Sequence, residues 1–181
     1  MDPRKAVGLI DGIYEDDISK HLAFVNKMKG HQREQFNYTE TLLLIHGDKA
    51  KETLTEYSMM AVPNKPKQVE EWLQILNINL DLACQLEPDS VVAKIKANKK
   101  LKLYPVDECL KICQKYNRTE ACAILCKFAD KFKDAVRYYV TLVNQTINTP
   151  STISVFKKEL YCLDKHIRVT LLKQKKKLSD M

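Results

Sequence analysis

Glycine is nearly absent: four residues in a chain of 181, and no two of them adjacent. β-Hairpins need positive or pre-set φ angles at their tips, so an all-β chain of this length would carry far more turn residues. So few glycines suit helices joined by short turns. The six prolines supply the punctuation, each falling where a missing N–H is tolerated, at a helix start or in a loop. Pro3 opens the first segment, Pro63 and Pro66 bracket a loop over 61–67, and Pro88, Pro105 and Pro150 each precede a new helical pattern.

Apolar spacing between these marks predicts helices over about 3–14, 17–29, 32–46, 48–60, 67–86, 88–97, 105–116, 118–128, 131–146 and 150–176. Val7, Leu9, Ile10 and Tyr14 mark a face of the first, and Ile18, Leu22, Phe24, Val25 and Met28 one of the second. Trp72, Leu73, Leu76, Leu80 and Ala83 form a longer stripe at spacings of three and four. His46-Gly47-Asp48 reads as a helix end, with Gly47 in the left-handed position. Asn117 with Glu120 three residues on reads as a capping box. Tyr138 to Val143 has β propensity but continues the helical run from Lys133, and is predicted as helix.

Three helical units between Pro105 and Thr146 are separated by only a few residues, and short links make consecutive helices antiparallel. Ala121, Ala123, Ala129 and Ala135 recur at their centres, where small side chains let helices approach closely. No repeat of fixed length is present, which disfavours a perfect TPR array. The expected fold is therefore all-α, an irregular α-solenoid of antiparallel helix pairs, with 1–181 as one solenoid segment and 105–146 as its clearest repeat unit.

Tyr104-Pro105-Val106-Asp107-Glu108-Cys109-Leu110-Lys111-Ile112-Cys113-Gln114-Lys115-Tyr116 is followed by Arg118 to Leu125 and then Lys131-Phe132-Lys133-Asp134-Ala135-Val136. This succession resembles the clathrin heavy chain repeat of vacuolar protein sorting subunits. Leu80 to Pro88 is similar to the segment that precedes the repeat in the CORVET-specific subunit of that family, and the likeness spans roughly 80–143. The resemblance implies a non-catalytic scaffold in endosomal tethering and vesicle transport. Its partners would be other tether or coat subunits and a Rab-type GTPase. It also implies a cytoplasmic location, peripheral on endosomal membranes, and a chain that is a piece of a larger protein.

Residues bearing chemistry are few in pattern. No Gly-rich phosphate loop and no nucleophile elbow is present. The histidines His21, His31, His46 and His166 lack a second histidine or a carboxylate at metal-ligand spacing, and are read as surface or capping residues. Asp16-Asp17 and Glu70-Glu71 are read as helix-start charges that offset the dipole. No catalytic residue, cofactor site or metal ligand is therefore assigned, and the chain is expected not to be an enzyme.

Cys109 and Cys113, and Cys122 and Cys126, put two thiols on one face of each of two successive helices. Four thiolates can hold Zn²⁺, but structural zinc knuckles are tighter than this spacing. Buried apolar cysteines in a helix seam are expected, in a reducing setting, because Met1 to Lys5 leads into no apolar leader. No run reaches transmembrane length.

The net charge of +7 is carried mostly by lysine, concentrated in runs at 94–102 and 173–177. Both runs are expected at helix C-termini, where cations suit the dipole, and an anionic membrane surface is the functional alternative. A nucleic-acid-binding helical domain is the rival overall reading. The shortage of arginine, the usual bidentate reader of phosphates and bases, argues against it.

Overall fold

A computed structural model of the chain describes residues 2–14, 17–59, 66–97, 106–146 and 161. They form eight α-helices and one 3₁₀ turn, with no strand among the described residues: α1 Pro3–Tyr14, α2 Ile18–Lys27, α3 Gln32–Met59, α4 Lys67–Leu86, the 3₁₀ turn Pro88–Ser90, α5 Val91–Ala97, α6 Val106–Lys115, α7 Thr119–Phe128 and α8 Phe132–Thr146. The all-α expectation holds, and Tyr138 to Val143 lies in a helix as predicted. The helix expected over 150–176 lies outside the described residues, as does most of the loop over 61–67. No described helix is long and apolar enough to cross a membrane.

Caps explain where the helices start and stop. Asp2 accepts from the Arg4 N–H at 3.0 Å at the head of α1, and Asp17 accepts from the Ser19 N–H at 2.9 Å at the head of α2. Gly30, at φ 102°, turns the chain from α2 into α3. Two later turns use other residues in the left-handed region, Asn117 at φ 54° and Asp130 at φ 57°. At the first, the Arg118 N–H donates to Cys113 O at 2.8 Å and the Asn117 N–H to Gln114 O at 3.0 Å. At the second, Lys131 donates to Cys126 O at 2.9 Å and Asp130 to Lys127 O at 3.4 Å. Both are Schellman closures, with Asn or Asp where glycine is commonest. Asn117 therefore closes α6, and does not cap α7 as its spacing from Glu120 suggested.

A second correction concerns Gly47. The expected break between 46 and 48 is not there, and α3 runs unbroken through Gly47 for 28 residues. Interior glycine costs a helix only about 0.5–1 kcal/mol relative to alanine. Leu42, Ala50 and Leu54 continue a buried stripe across the site, and that burial outweighs the cost.

The chain divides into two compact units, Met1–Arg118 and Thr119–Met181, so the boundary falls inside the stretch 105–146. In the first unit α4 is central, packing against α2, α3 and α6, while α1 packs on α3. Ala6, Val7, Ile18, Leu22, Val25, Tyr38, Leu42, Trp72, Ile75 and Leu76 belong to one apolar core. At the far end of α4, Leu80, Ala83, Cys84, Val91, Ile95, Cys109, Leu110 and Cys113 are buried. In the second unit α7 packs along α8. Ala121 to Cys126 are all buried, as are Ala135 and Tyr139 one turn apart on α8.

Candidate functional site

Three polar side chains occupy core positions on three different helices of the first unit. On α1, Asp11 follows buried Val7 by four residues. On α2, His21 lies between buried Ile18 and Val25, and on α3 His46 lies between buried Leu42 and Ala50. Each thus continues its helix's apolar stripe, and all three point inward to one another.

His21 is only 1% exposed; its Nε2 lies 2.9 Å from Asp11 Oδ1 and its Nδ1 2.7 Å from the Tyr38 hydroxyl. His46 Nε2 lies 3.0 Å from Asp11 Oδ2. The two imidazole centroids are 5.7 Å apart. An ionised carboxylate only accepts, so both Nε2 atoms donate to Asp11 when the imidazoles are neutral. Nδ1 of His21 is then an acceptor, and Tyr38 donates to it. The result is a continuous relay, from the Tyr38 hydroxyl through His21 to Asp11, with His46 on the second carboxylate oxygen. Burial, reinforced by the Asp11 charge, pushes the Tyr38 phenol well above its ordinary range, so it stays a neutral donor. Asp11 and His46 keep 21% and 14% exposure, which leaves the cluster open on one side.

Tyr38 also packs against Phe24, with ring centroids 4.9 Å apart and the planes tilted by 55°. Both line a groove of about 270 Å³ among α1, α2 and α3, together with Ala6 and Met28 and polar residues at its rim.

The expectation of surface or capping histidines is overturned for His21 and His46. His31 is exposed in the turn before α3, as expected, and His166 lies outside the described residues. The partners escape a search for ligand spacing within one element, because they come from helices 10 to 35 residues apart in sequence. The legible signal was register: Asp11 and His21 each sit at a core position of an amphipathic helix. For His46 that signal was hidden by the helix break assigned at Gly47.

The carboxylates divide. Asp17 is a cap, as expected. Glu71 is buried, with its Oε1 accepting from the Ser19 hydroxyl at 2.7 Å and lying 3.5 Å from Lys67 Nζ, so it joins α2 to α4 and is no surface helix-start charge.

The five described cysteines are buried thiols. Cys84 on α4, which packs against α6, neighbours Cys113 and Cys109 of that helix. The Cys113 hydrogen bond is the largest influence on Cys84, lowering its pKa against the opposing effect of burial. Cys109 is pushed up to about 12, mainly by burial and then by the neighbouring Glu108 carboxylate. Cys122 and Cys126 belong to α7 in the second unit, and Cys162 lies outside the described residues.

Of the basic runs, only Lys94 and Lys96 fall among the described residues. Lys94 is engaged within the fold: it donates to Glu40 at 2.6 Å and sits 5.2 Å from the Phe36 ring centroid. Lys96 is exposed in the last turn of α5.

The fold and cluster together define a helical protein whose first unit encloses a carboxylate bridged by two imidazoles. Comparison with family models, curated proteins and solved structures finds no match for the chain.

Proposed function

We propose that the chain is a non-catalytic protein-interaction scaffold built of helix pairs, an α-solenoid segment. The observation that carries this reading is the outer surface of α1 and α3. Leu9 and Ile13, one turn apart on α1, are 61% and 60% exposed, and Leu44 on α3 is 74% exposed with Ile45 beside it. Large aliphatic side chains one turn apart on a solvent face are how an amphipathic helix presents anchors to a partner.

A finer version makes the scaffold an endosomal tether segment, whose partners are other tether subunits and a Rab-type GTPase, on the cytoplasmic face of endosomal membranes. Its support is the resemblance over residues 80–143. α6, α7 and most of α8 fall within that stretch.

Cross-linking of the tagged chain in cells, followed by mass spectrometry, tests both versions against a Leu9→Asp/Ile13→Asp variant. The expected outcome is recovery of endosomal tether subunits by the wild type and at least tenfold less by the variant, with an unchanged circular dichroism spectrum. Equal recovery by the two proteins rejects the α1 surface. Recovery of a specific partner set that contains no transport protein rejects the endosomal version alone.

A further inference from the structure

We propose that Asp11, His21 and His46 bind a divalent first-row transition-metal ion, of which Zn²⁺ is the best-matched probe. One carboxylate oxygen and two imidazole nitrogens, each from a different helix, lie within 4.8 Å of one another. A tetrahedral ion with bonds of about 2.0–2.2 Å needs its ligand atoms about 3.3–3.6 Å apart. Oδ1 of Asp11 lies 2.9 Å from Nε2 of His21 and Oδ2 lies 3.0 Å from Nε2 of His46, so small side-chain shifts bring one oxygen and the two nitrogens around an ion.

The donor set selects the class of ion. Two imidazoles and a carboxylate suit Zn²⁺ and its neighbours, whereas Ca²⁺ and Mg²⁺ favour oxygen throughout. Ligation requires the carboxylate form and neutral imidazoles, a donor set with one negative charge to offer a dication.

The surroundings also suit a metal. A ligating imidazole normally has its other ring nitrogen held in place, which fixes the tautomer. Tyr38 does this at 2.7 Å from Nδ1 of His21. On binding, the His21 proton moves to Nδ1 and is donated to the Tyr38 oxygen, so the Nε2 lone pair faces the ion. Three protein ligands leave a fourth position for water, and the exposed edges of Asp11 and His46 give that position access to solvent. The bound ion would fasten α1 to α2 and α3.

The test uses the full chain, stripped with chelator and titrated with Zn²⁺ by calorimetry and with Co²⁺ by visible absorption. The expected result is one ion per chain in a nitrogen–oxygen site, with d–d bands and no sulfur-to-cobalt charge-transfer band. His46→Gln and Asp11→Asn should each weaken Zn²⁺ binding at least tenfold while the circular dichroism spectrum stays helical. His46→Gln changes a partly exposed residue and keeps a polar group, so loss of fold is not its expected effect. Imidazole ¹⁵N shifts of His21 and His46 on Zn²⁺ addition, read in the unmutated chain, give the assignment independently of any variant. Absence of stoichiometric binding overturns the proposal. So does a strong charge-transfer band, which would place the ion on cysteine, or unmoved His21 and His46 resonances.

Discussion

Loss of the Tyr38 hydroxyl, a one-atom change, breaks the relay from its buried end. Tyr38→Phe leaves Nδ1 of His21 as a buried acceptor with its donor removed, at a site only 1% exposed. The expected cost is about 1–3 kcal/mol, seen as a lower urea midpoint with an unchanged slope. At the other end of α4, Cys109 makes an alkaline prediction. Its folded pKa of about 12 lies above the ordinary 9.0. The unfolded thiol therefore ionises first, so this group's contribution is intact below 9.0 and is lost as pH rises toward 12. Wild-type stability should fall over that window more steeply than that of Cys109→Ala, when urea midpoints are compared at matched pH. Overlapping stability–pH slopes for the two proteins would reject the assignment.

Among the elements, α3 departs most from what its sequence suggested. Gly47 has neither a positive φ nor any atom within 4 Å of where a Cβ would sit. Gly47→Ala should therefore stabilise the protein by about 0.5–1 kcal/mol, measured by thermal or urea unfolding. A destabilised variant would mean that the helix bends or opens there. The reason α3 was read as two helices is physical. A lone glycine is a weak stop signal, worth less than one buried leucine, and the stripe from Leu42 to Leu54 overrides it. The starts of α1, α2 and α4 were legible because Asp and Pro act locally, through a cap or a fixed φ. The closure of α6 by Asn117 was not legible because the residue type that caps helix starts also tolerates the left-handed position that ends a helix. The cluster was legible only in part: register sets Asp11 and His21 on the apolar faces of their helices, but packing alone brings them to His46.

At the scale of the whole chain, the first unit carries its own apolar core and its own polar connections. Gln35 donates to Val25 O at 3.0 Å, which also accepts from the Met28 N–H at 3.2 Å, binding α3 to the end of α2. Asn79 donates to both Thr39 and Glu40, and Lys94 donates to the other Glu40 oxygen, joining α3, α4 and α5. Residues 1–118 expressed alone should accordingly give a helical spectrum and a single cooperative unfolding transition. A fragment that is unfolded in isolation would show that the first unit depends on residues beyond 118. The same division limits how far the solenoid expectation was legible. Helix content follows from local periodicity, but the placing of α6 with α4 depends on Cys84, Asp81 and Arg118, which local periodicity does not reveal.

Arg118, the last residue of the first unit, has a mechanical consequence. Its guanidinium donates to Cys84 O through Nη2 at 2.6 Å and Nε at 3.2 Å, while its main-chain N–H holds Cys113 O. Tension applied along the chain from the C-terminal side reaches this residue before it reaches α6. The side chain diverts part of that load to the end of α4, in parallel with the main chain, so α6 is not peeled from its last turn one bond at a time. Arg118→Ala, which costs about 1.5–3 kcal/mol at equilibrium for the loss of a charged donor, should lower the force at which the first unit yields in single-molecule pulling. The anchor thus ties the residue before the second unit to α4 and α6 at once.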